Sequence, residues 1–548
     1  MFLKQLHPYP YDLKHRSFSA LFSFVLLCVE ISPAACSPRP HIVFILADDM
    51  GWNDVSFHGS NQIPTPNLDV LASEGILLHS YYTMHLCTPS RAALLTGLYP
   101  ITTGMQSGII AGAEPWGLPL NLKIMPEHFK DLGYETHLIG KWHLGFFKTE
   151  YTPLKRGFDT FYGYYNGMVD YYDHTSGSEH VGLDLRDNEK PDWGENGTYA
   201  THLFTEKFVS LIEKHDKSKP FFGYFSQIAP HIGNTDPFQA PEKIVRKFSY
   251  IGNKDRSYYA AMVDALDESV GAVVDALNRT GMLNDTIIVF SSDNGAALFG
   301  EGLTGGSSWP LRGYKSTLWE GGVRAPAFVW STRLKKRRQL SRHLMHIVDW
   351  LPTLYSAAGG NVAQLGPIDG FDMWRALSEG TECPRKEILH NVDPNNKAMA
   401  LRVGRYKLVV QAPKNDTKLK NNRHPMKGMD NPLDDLTRLR ARSRTAKVFK
   451  SLFGNLRFET DKNWTQEATV KCSPEASIKP PEKGPYLFDI EQDPCESQNL
   501  AASHKRVLRV LYKKLSGYMS RMVASRARPA DPRAYPENFG GVWSPWLD

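Results

Sequence analysis

Four short apolar runs, separated by longer amphipathic stretches, constrain the fold of this chain more than any other feature of its sequence. The runs are rich in β-branched and aromatic residues and cover 41–46, 135–139, 221–225 and 286–291. Such runs are typical of strands buried on both faces of a parallel sheet, and the stretches between them are long enough for crossover helices. The sequence therefore predicts an α/β fold with a large mixed, mostly parallel sheet flanked by helices.

Helices are predicted at 66–74, 126–132, 199–214 and 257–277. The last has the clearest pattern, because its apolar residues recur every three or four positions, while Asp264 and Asp267 fall outside that apolar stripe. From about Asn396 the pattern changes to strand-like runs at 398–403, 406–410 and 486–490. We therefore expect a large first domain of residues 37–395 and a smaller C-terminal α+β domain of residues 396–548 with an antiparallel sheet. Residues 414–484 are interpreted as a basic insertion, with one helix predicted at 433–453.

The first 36 residues resemble a secretory signal peptide. Basic residues precede the apolar run 18–29, and the small residues Ala34 and Ala35 follow it. No later run is long enough for a stable membrane span. The mature chain is therefore expected in the secretory pathway, as a lysosomal or secreted glycoprotein. Five glycosylation triplets agree with this expectation and begin at Asn196, Asn278, Asn284, Asn415 and Asn463.

Four of the six cysteines follow the predicted signal peptide: Cys87, Cys383, Cys472 and Cys495. Cys87 has no neighbouring cysteine, so by itself it fits a thiol nucleophile, a small buried apolar residue or half of a disulfide. If Cys87 is functional, the other three permit one disulfide and one free thiol, and the sequence does not select the pair.

The net charge of +6 allows an anionic partner. The densest basic run, Arg333–Arg342, fits either a solvated loop or a polyanion-binding patch. Because no nucleic-acid-binding motif accompanies it, nucleic acid is not an expected partner.

Oxygen-bearing side chains follow two of the predicted strands. Asp48 and Asp49 come after the first, and Asp293 and Asn294 come after the fourth. Taken singly, the first pair fits a helix cap and the second a tight turn. Ligands gather at the carboxyl ends of parallel strands, where converging carboxylates repel unless a cation neutralises them. These hard donors therefore predict Ca²⁺ or Mg²⁺ rather than zinc.

Cationic and imidazole side chains follow the same strand ends. Lys141 and His143 lie two apart after the second strand, so continued extended backbone would place both on one side. His231 follows the third strand, and Lys315 lies in a glycine-rich segment after Asp293 and Asn294. Each alone also fits a surface lysine or a hydrogen-bonded structural histidine.

Four segments together resemble the sulfatase family, and in particular its arylsulfatase B branch. They are CTPSRAALLTG at 87–97, GKWHLG at 140–145, SDNG at 292–295 and WPLRGYKSTLWEGGVR at 309–324. The resemblance covers most of 41–411, and LFDIEQDP at 487–494 resembles the family's C-terminal domain. It implies an alkaline-phosphatase-like fold in which residues 37–395 form the catalytic domain.

The resemblance also implies the chemistry. Cys87 would be oxidised by the formylglycine-generating enzyme, and the hydrated aldehyde would attack the sulfur of a sulfate ester. Asp48, Asp49, Asp293 and Asn294 would hold one Ca²⁺ per chain together with the modified Cys87. Arg91 and Lys141 would stabilise the hydrate. His143, His231 and Lys315 would contact the sulfate and the leaving oxygen, with His231 as the proton donor.

The implied substrate is a sulfated glycan, with the 4-sulfate of N-acetylgalactosamine in dermatan or chondroitin sulfate expected first. Alternatives are other sulfated glycans, aryl sulfates, phosphoesters or phosphonates, and a non-catalytic glycosaminoglycan-binding relative. The chain departs from the branch's pattern in three ways: His231 follows Ala229-Pro230, the segment between Asn294 and Lys315 is longer, and cysteines are fewer. The oligomeric state does not follow from the sequence.

Overall fold

A ten-stranded sheet forms the centre of the computed structural model, which describes residues 39–298, 305–411, 428–430, 432–461, 463–472 and 484–548. The strands are His41–Ala47 (β1), Ile76–Leu78 (β2), Glu135–Lys141 (β3), Thr160–Tyr164 (β4), Arg186–Asp187 (β5), Lys190–Pro191 (β6), Phe221–Ser226 (β7), Thr286–Ser292 (β8), Ala327–Trp330 (β9) and Gln339–Ser341 (β10). Their order in the sheet is β10-β2-β9-β8-β1-β7-β3-β4-β5-β6, and the five strands from β8 to β4 are parallel.

Helices cover both faces of the sheet, which confirms the predicted α/β class. The alternation of side chains along β1 sends Val43 and Ile45 into one core and Ile42 and Phe44 into the other. All seven residues of β1 are buried, as a central parallel strand requires. The longer helices are Pro66–Glu74 (α1), Cys87–Thr96 (α2), Met125–Asp131 (α3), Ala200–Lys214 (α4), Lys254–Arg279 (α5), Trp350–Ala357 (α6), Pro432–Arg442 (α7), Arg444–Phe453 (α8) and Lys505–Met519 (α9).

Asp267 in α5 is buried, although the sequence placed it outside the apolar stripe. Its carboxylate accepts hydrogen bonds from the backbone amides of Asn67 and Leu68, at 3.0 and 2.8 Å, at the start of α1. These amides lack partners within α1 because they belong to its first turn. Asp267 therefore fixes one helix onto another, a long-range role that periodicity does not reveal.

The C-terminal antiparallel sheet is confirmed. Its four strands are Glu387–Asp393 (β11), Ala398–Val403 (β12), Tyr406–Gln411 (β13) and Tyr486–Asp489 (β14). The division between domains at 395 and 396 stays a prediction.

The single helix predicted at 433–453 is wrong, since α7 and α8 are separate helices. Ser443 divides them, because its side chain accepts a hydrogen bond from the amide of Ala446 and so caps α8. In the described part of 414–484, α8 packs against α5 and β9, and α7 packs against α1. The ring of Phe449 lies 4.8 Å from that of Trp330, and Nε of Arg440 bonds Asp69 at 2.7 Å.

Cys472 and Cys495 form a disulfide, while Cys87 and Cys383 are free thiols. The predicted signal peptide, residues 1–36, lies outside the described residues. Within the described part of the chain, none of the helices has the length and apolar character needed to cross a membrane.

Candidate active site

The carboxyl ends of four adjacent strands, β8, β1, β7 and β3, bring most of the predicted site residues together. Asp49 is central to the cluster: its amide donates to Asp293 at 3.1 Å, and its Oδ1 accepts from Nδ2 of Asn294 at 2.7 Å. Asp49 has a φ of 66°, a left-handed conformation that aspartate tolerates better than most residues. Asp48, Asp49, Asp293 and Asn294 are all buried.

Cys87 is the first residue of α2, and it points at the carboxylates. Its Sγ lies 3.8 Å from Asp48 and 3.9 Å from Asp49. Burial, opposed in part by Lys141 and Lys315, raises the pKa of the Cys87 thiol to about 12. A buried, protonated thiol is a poor nucleophile, so this environment does not favour direct attack by sulfur.

Arg91 lies one helical turn after Cys87 and holds the strand ends together. Its guanidinium donates to one oxygen of Asp293 through Nε at 3.1 Å and Nη2 at 2.8 Å, and Nη1 donates to Ser226 at 2.5 Å. The side chain is fully buried. Hydrogen bonds between charged groups are stronger than those between neutral groups, so this contact ties α2 to the end of β8.

Two lysines neutralise the two leading carboxylates. Nζ of Lys141 lies 2.7 Å from Asp48, and Nζ of Lys315 lies 2.6 Å from Asp49. Burial opposes ionisation of both aspartates, but the neighbouring cations outweigh it and hold the pKa of each below its usual range. The carboxylates therefore stay ionised, as ligands of a cation must be.

His231 also faces Asp49 and Lys315. Its Nε2 lies 3.4 Å from Asp49 and 3.3 Å from Nζ of Lys315, and its Nδ1 donates to the carbonyl of Ile232 at 2.8 Å. Because that carbonyl can only accept, Nε2 of the neutral ring carries the lone pair. Burial lowers the pKa of His231, although Asp48 and Asp49 oppose the shift.

The extended backbone that would place Lys141 and His143 on one side does not continue to His143. Its φ is 57°, so the chain turns at this residue. The ring is buried and its Nε2 donates to the carbonyl of Ile110 at 3.0 Å. Nδ1 has no hydrogen-bond partner among the described residues and stays available to a ligand. Burial and the cations Lys141 and Arg91 lower the pKa of His143.

The segment that carries Lys315 packs against the turn after β8. Gly295 donates to the carbonyl of Gly322 at 3.1 Å, and a Cβ on Gly295 would lie 1.9 Å from the oxygen of Gly321. Only glycine permits this approach. The amide of Lys315 donates to Ala296 at 2.8 Å. The glycines thus allow the two backbone segments to pack closely, and this packing positions the Lys315 ammonium.

A buried ion cluster supports the same segment from the C-terminal sheet. Nζ of Lys407, in β13, lies 2.9 Å from both Glu320 and Glu496, and all three side chains are fully buried. Burial, together with the charge of Glu320, raises the pKa of Glu496 to about 7. The short helix Glu320–Val323 is therefore fixed next to the site by a lysine from another sheet.

Sequence reasoning missed two serines at this site. Ser226 ends β7 and bonds Arg91, and Oγ of Ser292, the last residue of β8, accepts from the amide of Met50 at 2.9 Å. Their position at strand ends was an available signal, since the charged site residues were found by it.

Comparisons with known proteins agree with this geometry. A family model described as Sulfatase matches residues 40–360. The chain is 39% identical over 520 residues to "Arylsulfatase J" of Mus musculus, which covers 93% of this chain and 81% of that protein. It is 34% identical over 403 residues to "N-acetylgalactosamine-6-sulfatase" of Mus musculus, covering 70% and 74%.

A solved structure of Ps i-CgsB in complex with k-i-k-neocarrahexaose is also similar. It has a TM-score of 0.70 and 25% identity, and the match covers 89% of this chain and 94% of that chain. The family resemblance is thus confirmed, whereas the arylsulfatase B branch stays a prediction, because these relatives have other names. On this evidence the chain belongs to the sulfatase family and is a sulfuric ester hydrolase.

Proposed function

We propose that this enzyme removes sulfate from N-acetylgalactosamine residues of sulfated glycosaminoglycans, using a formylglycine made from Cys87 and a bound Ca²⁺. The observation that carries the proposal is the position of Cys87, within 4 Å of two carboxylates that are each paired with a lysine. The relatives named for N-acetylgalactosamine sulfate esters support the sugar. The motif resemblance favours the 4-sulfate.

The residues present fit a hard cation. Asp48, Asp49, Cys87 and His231 offer ligand atoms that lie within 4.8 Å of one another, and Asp293 adjoins them. Oδ1 of Asn294 is buried and has no hydrogen-bond partner within the described ranges, as expected of an amide oxygen reserved for a cation. The carboxylate and amide donors favour Ca²⁺ over zinc. When bound, such a cation supplies positive charge that offsets charge developing on the sulfuryl group.

The chain's own side chains would perform the remaining steps. The hydrated aldehyde at residue 87 supplies an oxygen nucleophile with a second hydroxyl that regenerates the aldehyde. Lys141 and Lys315 stabilise negative charge around the sulfate. Arg91 keeps Asp293 and the start of α2 aligned. His231, when protonated at Nε2, donates a proton to the leaving sugar oxygen, and the carboxylate of Asp49, 3.4 Å from Nε2, stabilises the protonated ring.

His231→Gln tests the proton-donor role. We expect kcat on a sugar sulfate to fall by about 10²–10⁴-fold, because an alkoxide leaves poorly without a proton. An aryl sulfate with an acidic phenol leaving group needs no proton, so its loss should be much smaller. The exposed His202 provides a control, His202→Gln, that should resemble the wild type on both substrates. Equal losses on the two substrates would contradict the role of His231.

A panel of defined substrates tests the proposed function. Protein purified from secreting cells is first shown by peptide mass spectrometry to carry the aldehyde at residue 87. It is then incubated with 4-sulfated and 6-sulfated N-acetylgalactosamine oligosaccharides, an aryl sulfate and an aryl phosphate. Sulfate release from the 4-sulfated sugar is the expected result. Release from the 6-sulfated sugar alone would show that the enzyme acts on the 6-sulfate instead of the 4-sulfate. No release from either sugar by modified protein would exclude N-acetylgalactosamine sulfates as substrates.

A further inference from the structure

A second cluster of metal-ligating side chains lies at the opposite edge of the sheet from Cys87. Strand β3 has Lys141 of the active site at its carboxyl end and Glu135 at its amino end, about 20 Å away for a strand of this length. Near Glu135 lie His137 of the same strand and His215, which follows α4. We propose that Glu135, His137 and His215 form a binding site for a transition-metal ion, with Zn²⁺ the best match.

The three side chains converge. Each offers a ligand atom, and these atoms all lie within 4.8 Å of one another. Glu135 and His137 are two residues apart on one strand, so they project from the same face. A tetrahedral ion with bonds of about 2.0–2.1 Å holds its ligand atoms about 3.3 Å apart, so a side-chain adjustment is sufficient for binding.

Two buried ring nitrogens point to an absent ligand. Nε2 of His137 has no hydrogen-bond partner in the part of the chain that the structure describes, and neither has Nδ1 of His215, which lies 3.2 Å from a carboxylate oxygen of Glu135. The residues are only 7% and 9% exposed. A buried polar atom without a partner calls for a physical reason, and these two belong to residues whose ligand atoms lie within 4.8 Å of each other and of a carboxylate oxygen. A metal ion that accepts both lone pairs supplies that reason.

The remaining ring nitrogens are held as metal-bound histidines usually are. Nδ1 of His137 lies 2.8 Å from Oγ1 of Thr160, and Nε2 of His215 donates to the carbonyl of Lys219 at 2.8 Å. Since the carbonyl only accepts, the lone pair of neutral His215 is on Nδ1. That atom lies 3.2 Å from Oε2 of Glu135, so two electron-rich atoms face each other unless a cation or a proton lies between them.

The cluster is rigid but accessible. Phe221 stacks on the ring of His137 at 4.9 Å and meets the ring of His215 edge-on at 5.0 Å. The side chain of Glu135 is 31% exposed, so an ion can reach it from solvent. Two imidazoles, one carboxylate and a water suit Zn²⁺ or Co²⁺, whereas the oxygen-rich active site suits Ca²⁺.

A Co²⁺ titration followed by visible absorption tests the proposal, with Ca²⁺ at saturation so that the active site does not take up cobalt. Wild-type protein should bind one equivalent with the spectrum of nitrogen-ligated Co²⁺, and Zn²⁺ should displace it. His137→Gln and His215→Gln should each weaken binding by more than about 100-fold, since loss of a direct ligand exceeds the cost of an outer-shell change. The control His202→Gln should bind as the wild type does.

Lys219→Met gives a test that does not depend on removing a ligand. Nζ of Lys219 lies 2.6 Å from Oε1 of Glu135 and competes with an added cation. The variant keeps the backbone carbonyl that orients His215, so we expect Co²⁺ to bind several-fold more tightly. Unchanged or weaker binding in Lys219→Met would overturn the proposal. So would no uptake of Co²⁺ by wild type at millimolar concentrations, or uptake that survives both histidine substitutions. Thermal melting of each variant verifies folding.

Discussion

Cys87→Ser is expected to lower kcat for sulfate release by at least about 10⁴-fold, the scale seen when a catalytic nucleophile is removed. The oxidation proposed at residue 87 starts from a cysteine thiol, so serine there is expected to keep one hydroxyl instead of the two of a hydrate. Any sulfuryl group it accepted would remain as a stable ester, because no second hydroxyl is present to expel it. The measurements are sulfate release over many turnovers and the mass of the peptide that contains residue 87.

Cys383 provides the matched control for this substitution. It is the other free cysteine of the described residues, and it is half-buried, with Sγ directed at the carbonyl of Arg385 at 3.3 Å. Cys383→Ser should keep kcat within about twofold of wild type, as expected for a thiol remote from the chemistry. Cys87→Ser protein that retained a tenth of wild-type turnover would exclude the aldehyde mechanism.

Asp49→Asn is expected to weaken Ca²⁺ binding by more than about 100-fold, because a negatively charged ligand is replaced by a neutral one. Asp49 contacts Asn294, Lys315 and Cys87, so its carboxylate lies at the centre of the proposed ligand set. Turnover should fall in parallel at ordinary Ca²⁺ concentrations and recover in part when Ca²⁺ is raised. In wild type, Ca²⁺ at about 100 times its Kd should stabilise the fold by about 2.7 kcal/mol.

Calorimetric titration and thermal melting over a range of Ca²⁺ concentrations measure this effect without an activity assay. Asp275→Asn is the control, since Asp275 lies at the surface of α5, where it pairs with Arg279. Its half-saturating Ca²⁺ concentration should equal that of wild type. Equal half-saturation for Asp49→Asn would show that the cation is not held by Asp49.

The strands and the charged strand-end residues were predictable from sequence for the same physical reason. Buried parallel strands must be apolar along their whole length, and their carboxyl ends must meet at one edge. Asp48, Asp293 and Lys141 could therefore be grouped although 245 positions separate the first two. The four strand positions predicted in the sheet were accurate to within two residues at each end.

Local breaks in helices and strands were not predictable in this way, and neither were side-chain partners that lie far apart in the sequence. The turn at His143 depends on a left-handed conformation that non-glycine residues rarely adopt. The break between α7 and α8 depends on one side-chain cap at Ser443. The basic run Arg333–Arg342 could not be interpreted alone, because cations such as Arg338 pair with acids far away in sequence, in this case Glu74 at 2.8 Å.

The buried ion cluster of Lys407, Glu320 and Glu496 has a consequence for how such a protein can evolve. Glu320 lies just after the segment that carries Lys315, and the nearer of its two buried cations, Lys407, comes from β13, nearly ninety residues later, while the other is Arg324. A gene fragment that ended before β13 would leave Glu320 buried without its nearer cation, a destabilising loss. The C-terminal sheet is therefore not an appendage that recombination can exchange freely, and the two sheets must be inherited together.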